Sequence, residues 1–437
     1  MLTHEENEEI TSVGPGTLMG GLFREYWLPF LPSDDLEVDG RPKRIRLLGE
    51  DLIAFRDSDG RFGLVDHVCA HRGAPMFFAR NEECGLRCVY HGWKYNVDGR
   101  VVDTPAEPER SRFKDRVQLK AYRVRERNGI LWAYLGSAEE PPELPEMEWN
   151  LVPQEQLHVS FRVQKANWLQ CLEGEIDSAH APILHGRVDG KGWMASSLAS
   201  ADLRPVFDCV PSDSGVSIAA RRHLPDGQLY YRVNQFVMPF YSLVPPQTKH
   251  PELSGHAWVP MDDEHTLCIM FTYHPTDPLP DRMREVFQQG NKGRESGHPS
   301  EHAFTSEDPG QPFAGYWPKF TPENDYLYDA ELEKTYFSGI PGLWLQDSAC
   351  QTGFGPIQDR TQEHLCSSDA GIVMTRRYLL DAARGLRDNG VLPPTLTDPN
   401  LTMVRAVSLR LADGVSWVDA GRDAMRAKVG AGWGYEL

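Results

Sequence analysis

Apolar and polar residues alternate over short distances between positions 41 and 138. Two apolar runs, 44–48 and 52–55, each suit a short strand. Three dipeptides that favour tight hairpin turns punctuate this region: Asp59-Gly60, Asp98-Gly99 and Asn128-Gly129. Each supplies the positive φ angles that such turns require. The pattern predicts a small all-β domain over residues 41–138, a sandwich or a barrel.

Two segments of different character flank this region. Residues 1–40 show little regular periodicity, and we expect an N-terminal capping segment there. Positions 139–146 hold three prolines and four glutamates, a composition that suits neither a core strand nor a core helix. We interpret residues 139–150 as a linker between domains, with a surface loop inside one domain as the alternative.

The second domain is predicted to span residues 151–437. Its predicted elements are a helix from Trp168 towards His185, a hairpin closed by Asp226-Gly227, a strand at 266–273 and a long helix between Ser368-Asp369 and Asn389-Gly390. Residues 275–325 are rich in proline, glycine and charge, which is typical of a functional or disordered loop.

Composition narrows the class of protein. The chain has 437 residues, 40% hydrophobic and 25% charged, with a net charge of −18, which argues against binding nucleic acid or an anionic membrane. No apolar run approaches the roughly 20 residues of a membrane-spanning helix, and the acidic N-terminus lacks a signal-peptide pattern. We expect a cytoplasmic protein whose eight cysteines are free or metal-bound.

Two cysteines and two histidines form the first candidate metal site: Cys69, His71, Cys88 and His91. Their spacing is C-x-H-x16-C-x2-H, so each half is a short clamp that mixes one Cys with one His beside a glycine. Structural zinc sites usually begin with paired cysteines. A mixed clamp suits a 2Fe–2S cluster in which two histidines replace two cysteines on one iron.

With the glycines and the tryptophan that flank it, this segment resembles a Rieske iron–sulfur domain. The resemblance implies that Cys69 and Cys88 hold one iron and that His71 and His91 hold the other. It also implies that the cluster accepts an electron from a ferredoxin-type donor.

A second polar set lies on the helix predicted from Trp168. Glu173, Asp177 and His180 are spaced i, i+4, i+7 and so share one helical face. His185 lies five residues further on, so the helix should bend or end near Pro182. The intervening residues are mostly apolar or small, which favours a partnered polar face over a solvated one.

The same segment is similar to the D-x2-H-x4-H motif of Rieske non-haem iron oxygenases. The resemblance implies that His180 and His185 bind a mononuclear iron. It implies that Asp177 links a ligand histidine to His91 of a neighbouring subunit and provides the electron path. Two further side chains are expected to support the ligands: Glu173 and Asn167.

The third iron ligand should be a distant carboxylate. Asp347 is the one acid within an apolar stretch, and it matches the ligand position of the phthalate-dioxygenase-like branch. Residues 355–369 are similar to the C-terminal signature of that branch, in which we interpret Asp359 as structural. Asp329 and Glu333 are weaker rivals for the ligand position.

The resemblance covers nearly the whole chain and implies an α+β fold, with an all-β Rieske domain followed by a helix-grip catalytic domain of antiparallel sheet and helices. It implies a terminal oxygenase that activates O2 at Fe(II) and hydroxylates an aromatic substrate, with cis-dihydroxylation of an aromatic carboxylate favoured. O- or N-demethylation, or diaryl ether cleavage, is the alternative within the family. A Rieske electron carrier and a zinc hydrolase are the alternatives outside it.

The branch also implies partners. Its oxygenases are homo-oligomers, trimers or stacked trimers, and electrons come from an NAD(P)H-dependent reductase that can carry FMN and a ferredoxin centre. The chain itself has no G-x-G-x-x-G dinucleotide motif after a strand, so electrons must come from such a partner.

An anionic substrate requires a local cation, and three arginines lie on the predicted hairpin: Arg221, Arg222 and Arg232. An arginine can bind a carboxylate through two parallel hydrogen bonds. Because successive strand residues point to opposite faces, only one of Arg221 and Arg222 can face a pocket. A surface position is the alternative for each of the three.

Overall fold

The computed structural model describes residues 1–432 except 109, 192–193, 195–196, 247–251 and 290–309. Part of the segment predicted as a loop, 275–325, therefore lies outside the described residues. In the part that is described, no helix is both long and apolar enough to cross a membrane.

Ten short strands precede position 138 among the described residues. Their bounds are β1 Trp27–Pro32, β2 Lys43–Leu47, β3 Glu50–Arg56, β4 Phe62–Asp66, β5 Arg80–Asn81, β6 Leu86–Arg87, β7 Lys94–Tyr95, β8 Val101–Asp103, β9 Ala121–Arg127 and β10 Ile130–Tyr134. They form a six-stranded sheet in the order β1-β10-β9-β4-β3-β2 and a four-stranded sheet β5-β6-β7-β8. Asn128 and Gly129 both have positive φ, 53° and 79°, as the predicted β9–β10 hairpin requires.

The first forty residues contain more structure than their periodicity predicts. Helix α1 spans His4–Thr11 and helix α2 spans Leu18–Arg24. Thr3 begins α1 with a reciprocal capping box to Glu6, which satisfies two backbone donors at the helix start. Strand β1 also lies within this segment and pairs with β10. The domain boundaries placed after residues 40, 138 and 150 stay predictions.

The second part of the chain is built on one eight-stranded sheet. Its strands are β11 Leu157–Gln164, β12 Val206–Ser212, β13 Gly215–His223, β14 Leu229–Val237, β15 Tyr241–Val244, β16 Leu253–Pro260, β17 Thr266–Tyr273 and β18 Val407–Leu411. The order is β11-β17-β16-β15-β14-β13-β12, with β18 paired to β14, and every pairing is antiparallel. Gly227, with φ 84°, closes the predicted β13–β14 hairpin.

Helices pack against this sheet. The remaining described helices are α3 Glu148–Leu151, α4 Trp168–Ile176, α5 Ala181–Leu184, α6 Asp281–Gln289, α7 Ala330–Glu333, α8 Leu343–Gly353, α9 Ala370–Asn389, α10 Pro394–Thr397 and α11 Trp417–Gly421. Helix α9 packs on β12, β13 and α2, and Gly390 ends it in the left-handed conformation, as its stop signal predicts. The predicted α+β architecture is confirmed.

One apolar core continues from the six-stranded sheet into the eight-stranded sheet. Trp149 is 1% exposed and stacks between Trp132 at 5.8 Å and Phe271 at 4.6 Å, measured between ring centroids. Such contacts contribute about 0.5–1.5 kcal/mol each beyond the area they bury. The two sheets are therefore packed on shared side chains at residues predicted as a linker.

Helix α4 is shorter than its sequence pattern predicts. It ends at Ile176, and Asp177 has extended backbone angles, φ −74° and ψ 120°. The prediction that the helix bends or ends near Pro182 is wrong by about one and a half turns. A new short helix, α5, begins there instead, with His180 and His185 as its two caps.

Candidate metal centres

Two loops of similar geometry carry the first candidate site. In one, the backbone N–H of Gly73 donates to the carbonyl of Cys69 at 2.8 Å, and in the other Gly92 donates to Cys88 at 3.0 Å. Both glycines have positive φ, 73° and 75°, which costs a residue without a Cβ little. Each loop thus turns sharply and presents its Cys and His side by side.

The four side chains of these loops converge. The thiols of Cys69 and Cys88 are buried, with 3% and 2% exposure, whereas the imidazoles of His71 and His91 are half-buried, with ring centroids 4.6 Å apart. Trp93 stacks on His71 with an interplanar angle of 4°. Two buried thiols and two half-buried imidazoles fit the donor set of a Rieske cluster, in which two cysteines hold one iron and two histidines hold the other.

The second candidate site joins side chains from three elements. His180 and His185 flank α5, and Asp347 comes from the middle of α8. One donor atom from each lies within 4.8 Å of the others. Asp347 Oδ1 is 3.5 Å from His180 Nε2 and 3.3 Å from His185 Nε2.

Neighbouring side chains orient the two imidazoles. His180 Nδ1 lies 3.1 Å from Asp177 Oδ2, and His185 Nδ1 lies 2.7 Å from Gln346 Oε1. The Gln346 amide donates its Nε2–H to the carbonyl of Ile340 at 2.8 Å, so Oε1 is left to accept from His185. In both rings, Nδ1 is therefore the nitrogen bonded to a neighbouring side chain, and Nε2 is turned towards Asp347. This arrangement suits a mononuclear iron held by two histidines and one carboxylate.

The break after α4 produces this arrangement. Asp177 Oδ1 accepts the backbone N–H of Ala179 at 2.7 Å, and Oδ2 accepts that of His180 at 3.3 Å. These local bonds compete with continuation of the helix. Pro182 then stands in the first turn of α5, where proline is well tolerated.

The charges of the site support one another. Burial lowers the pKa of His180, but the hydrogen bond to Asp177 and the charge of Asp347 outweigh it and raise that pKa above its ordinary value. Burial raises the pKa of Asp347, and the charges of His185, His180 and Arg162 more than offset it, so the pKa is lowered. The carboxylate is therefore anionic and available to a cation.

Glu173 and Asn167 lie near the ligands in sequence but bind other groups. Glu173 accepts from Arg360 at 2.9 Å and from Arg376 at 2.5 Å. Asn167 caps α4 through Leu169 and donates to two backbone carbonyls. The structure does not bring either side chain to an imidazole. Gln346, which the sequence analysis missed, contacts one.

Glu173→Gln is expected to destabilise the fold by about 3–5 kcal/mol, because it leaves two buried guanidinium groups without this counter-charge. Burial raises the pKa of Glu173, yet Arg360 and Arg376 hold it below its usual value. Urea unfolding measures the change. Glu331→Gln, in an exposed pair with Lys334, is the control and should change stability by less than about 1 kcal/mol. Equal effects would contradict the expectation.

The other acids considered for the third ligand position have different partners. Asp329 caps α7 by accepting from Glu331 and Leu332. Glu333 accepts the hydroxyl of Tyr328 at 2.7 Å. Asp359, interpreted as structural, accepts the backbone N–H and hydroxyl of Thr361. Of these acids, Asp347 lies with the two histidines.

The three arginines of the β13–β14 hairpin separate onto two faces. Arg222 and Arg232 share the face that carries Asn234, whose amide reaches the α4 backbone, whereas Arg221 points to the opposite face with Tyr231. Arg222 is fully buried and donates Nη2 to the carbonyl of Ser178 at 2.8 Å. Burial and the charge of Arg232 lower the pKa of Arg222 to about 10.

A cavity of about 620 Å³ adjoins the candidate iron site. Asp177, His180 and Asp347 line it, and an apolar rim surrounds them. The rim includes Ile183, Phe337 and Phe354, which are 48%, 58% and 52% exposed. Asp177 is thus accessible from the surface.

The two candidate donor sets suit one class of protein, in which a Rieske cluster is coupled to a mononuclear non-haem iron. Residues 26–123 match the model of the Rieske [2Fe-2S] domain, and residues 133–410 match the family described as LigXa C-terminal domain like.

Known proteins that are similar to this chain belong to the same class. The chain is 38% identical to the 3-chlorobenzoate-3,4-dioxygenase oxygenase subunit of Comamonas testosteroni, over 90% of this chain and 91% of that protein. It is 36% identical to the phthalate 4,5-dioxygenase oxygenase subunit of Pseudomonas putida, over 87% and 86%. The solved terminal oxygenase of carbazole 1,9a-dioxygenase from Novosphingobium sp. KA1 has a similar fold, with a TM-score of 0.56 at 18% identity over 88% of this chain and 97% of that one.

The chain therefore belongs to the Rieske non-haem iron oxygenases, among the alpha subunits of aromatic-ring-hydroxylating oxygenases. It is an oxidoreductase whose cofactors are a Rieske [2Fe–2S] cluster and a mononuclear Fe(II), with O2 as co-substrate. The predicted family, enzyme class and cofactors are confirmed, and the oxygenase function is supported over a simple electron carrier.

Proposed function

We propose that this terminal oxygenase hydroxylates an aromatic carboxylate, by cis-dihydroxylation of the ring. His180, His185 and Asp347 would hold the iron that activates O2, and the cluster would be held by four ligands: Cys69, His71, Cys88 and His91. The observation that carries the proposal is a buried cation, without an ion-pair partner among the described residues, whose charge acts on His180. Arg232 is 5% exposed, and its Nε and Nη1 have no hydrogen-bond partner in the described part of the chain.

The location of Arg232 supports a role in binding the substrate carboxylate. Burial lowers its pKa, and its positive charge opposes protonation of His180. Glu175 and Asp177 act on the charge of Arg232, but neither is bonded to it among the described residues. A buried guanidinium without a bonded partner is unfavourable, whereas an arriving carboxylate would supply two acceptors. The two relatives described above act on chlorobenzoate and phthalate by name, which agrees with this substrate class. Arg222 would support the loop of Asp177 through Ser178.

Electron delivery would pass between subunits of a homo-oligomer, a trimer or stacked trimers. Asp177 would connect His180 to His91 of a neighbouring subunit. Such a contact between subunits would bury apolar residues that are exposed in the single chain. Val89 and Tyr90, next to His91, are 58% and 60% exposed, and the apolar rim of the cavity at the candidate iron site is exposed as well. An NAD(P)H-dependent reductase, with FMN and a ferredoxin centre, would reduce the cluster. None of the eight cysteines, all of which are described, forms a disulfide, which supports a cytoplasmic location.

Tyr95→Phe is expected to lower the reduction potential of the cluster by roughly 40 mV. The Tyr95 hydroxyl lies 3.0 Å from Cys69 Sγ, and a hydrogen bond to sulfur stabilises the more negative, reduced cluster. A net bond of about 1 kcal/mol corresponds to this shift for one electron. A redox titration followed by EPR measures it. Tyr122→Phe, which loses a hydroxyl bound to Glu50, is the control, and equal potentials in all three proteins would contradict the expectation.

Product analysis with 18O2 tests the function. The holoenzyme and a compatible reductase are supplied with benzoates, benzenedicarboxylates, methoxybenzoates and diaryl ethers. A cis-dihydrodiol carboxylate that contains two 18O atoms supports the proposal. Formaldehyde or a phenol as the sole product would instead establish demethylation or ether cleavage. Iron analysis accompanies the assay, with three irons per chain expected.

A further inference from the structure

The two histidines of the candidate iron site are supported from different sides. His180 and its partner Asp177 line the cavity at the site, and the side chain of Asp177 is 23% exposed. His185 and its partner Gln346 are not among the described residues that line this cavity, and Gln346 is 3% exposed. One histidine is therefore bonded to a charged group that a second molecule can reach, and the other to a neutral group enclosed in the chain.

Gln346 is held by the turn that precedes α8. The helix begins at Leu343, directly after Gly342, whose φ is 80°. The backbone N–H of Gln346 donates to the carbonyl of Gly342 at 3.2 Å, and its side-chain Nε2 donates to the carbonyl of Ile340 at 2.8 Å. These two bonds fix the direction of the side-chain Oε1, which lies 2.7 Å from His185 Nδ1.

The position of Gln346 suits an amide better than any other side chain of its length. It must donate to the carbonyl of Ile340 and accept from His185, and an amide does both, whereas an ionised carboxylate only accepts and a thioether accepts weakly. Because Gln346 accepts, the proton of neutral His185 lies on Nδ1, and Nε2 keeps its lone pair for a metal. Gln346 thus selects the tautomer of His185 that can bind iron through Nε2.

Helix α8 also supplies the candidate carboxylate ligand. Asp347 follows Gln346 directly, and Asp347 Oδ1 lies 3.3 Å from His185 Nε2. Two adjacent residues of one helix therefore position a ligand carboxylate and orient a ligand histidine that belongs to another element. His180 differs, because its Nδ1 is bonded to Asp177 of its own segment.

We infer that Gln346 is a positioning residue that retains the mononuclear iron, by holding His185 in the tautomer and orientation that bind the metal. The inference rests on the proposed ligand set and extends it to a residue that does not itself touch the iron. It assigns different tasks to the two partners. Gln346 secures the iron within one chain, and Asp177 is left to serve the contact between subunits.

Competition for Fe(II) with the chelator ferrozine tests this inference on the anaerobic, iron-loaded holoenzyme. Gln346→Met should weaken Fe(II) binding by about 10- to 100-fold, the usual effect of removing a partner of a metal ligand, with the visible spectrum of the cluster unchanged. Gln346→Glu keeps an acceptor for His185 and should bind Fe(II) at least about threefold more tightly than Gln346→Met. Asp177→Asn should stay within about threefold of the wild type.

Gln351→Met is the matched control. Gln351 lies on the same helix and is 5% exposed, and it accepts from Gln164 without contacting an imidazole among the described residues. This variant should keep its Fe(II) affinity within about threefold of the wild type. With nitric oxide as a probe of the Fe(II) site, Gln346→Met should change the rhombic splitting of the EPR signal, and Gln351→Met should not.

The other outcomes separate this inference from the proposed function. Equal weakening by Gln346→Met and Gln351→Met would overturn it, because the effect would then come from the packing of α8. An unchanged affinity in Gln346→Met, or Gln346→Glu binding no more tightly than Gln346→Met, would overturn it as well. If Asp347→Ala loses iron while Gln346→Met keeps it, the ligand set stands and this inference fails. If Fe(II) binding changes as expected but 18O2 labelling detects no ring hydroxylation, the proposed reaction fails and the positioning role stands.

Discussion

Asp177→Asn is expected to reduce product-coupled turnover by at least about 100-fold while the cluster and the iron both remain bound. Second-layer partners of metal ligands typically contribute 10- to 100-fold to activity, and this one is also proposed to carry the electron between subunits. Asp177 Oδ2 lies 3.1 Å from His180 Nδ1, and Oδ1 accepts a backbone N–H. An amide of the same size retains some of these bonds but loses the charge that polarises the imidazole.

Stopped-flow spectroscopy can separate this effect from a loss of substrate binding. The reduced, substrate-bound enzyme is mixed with O2, and reoxidation of the cluster is followed by its visible absorbance. Asp369→Asn is the matched control, since Asp369 lines the same cavity but accepts the backbone N–H of Cys366. Reoxidation of Asp177→Asn at the wild-type rate would contradict the bridging role.

Local patterns predicted the parts of the structure that short-range geometry determines. The mixed Cys/His clamps are each a few residues long, so their spacing alone defines two adjoining loops. Asn128-Gly129 and Asn389-Gly390 specify left-handed backbone positions, and the structure has a hairpin at one and a helix end at the other. The capping box at Thr3 is also a local signal, which the interpretation of residues 1–40 as irregular overlooked.

Interactions over long sequence distances account for most of what was missed. Gln346 supports His185 from 161 residues away, and its amide neither titrates nor belongs to the recognised motif. Glu173 shares the predicted helical face with Asp177, but its partners Arg360 and Arg376 lie 187 and 203 residues further on. Periodicity places a side chain on a face without identifying the group that packs there. The early end of α4 differs, because its cause, the side chain of Asp177, is local.

Asp347→Ala is expected to remove the mononuclear iron, so that iron falls from three to two per chain and turnover is lost. Two imidazoles alone leave the metal without the anionic ligand that completes the two-histidine, one-carboxylate set of non-haem Fe(II) sites. The pKa of Asp347 is lowered by the nearby imidazoles and Arg162 despite its burial, so the group binds as an anion. Iron analysis and the visible spectrum of the cluster measure the two centres separately.

The competing acids provide controls for this change. Asp329→Ala removes a helix cap and should cost about 1 kcal/mol of stability, and Glu333→Ala removes a hydrogen bond from Tyr328. Both variants should keep three irons per chain, because neither carboxylate lies with His180 and His185. If Asp347→Ala keeps its third iron while one of these variants loses it, the ligand set is assigned to the wrong carboxylate. The two loops of the Rieske domain belong to a different part of the fold from the elements that carry these three acids. The visible spectrum of the cluster should therefore be unchanged in all three variants.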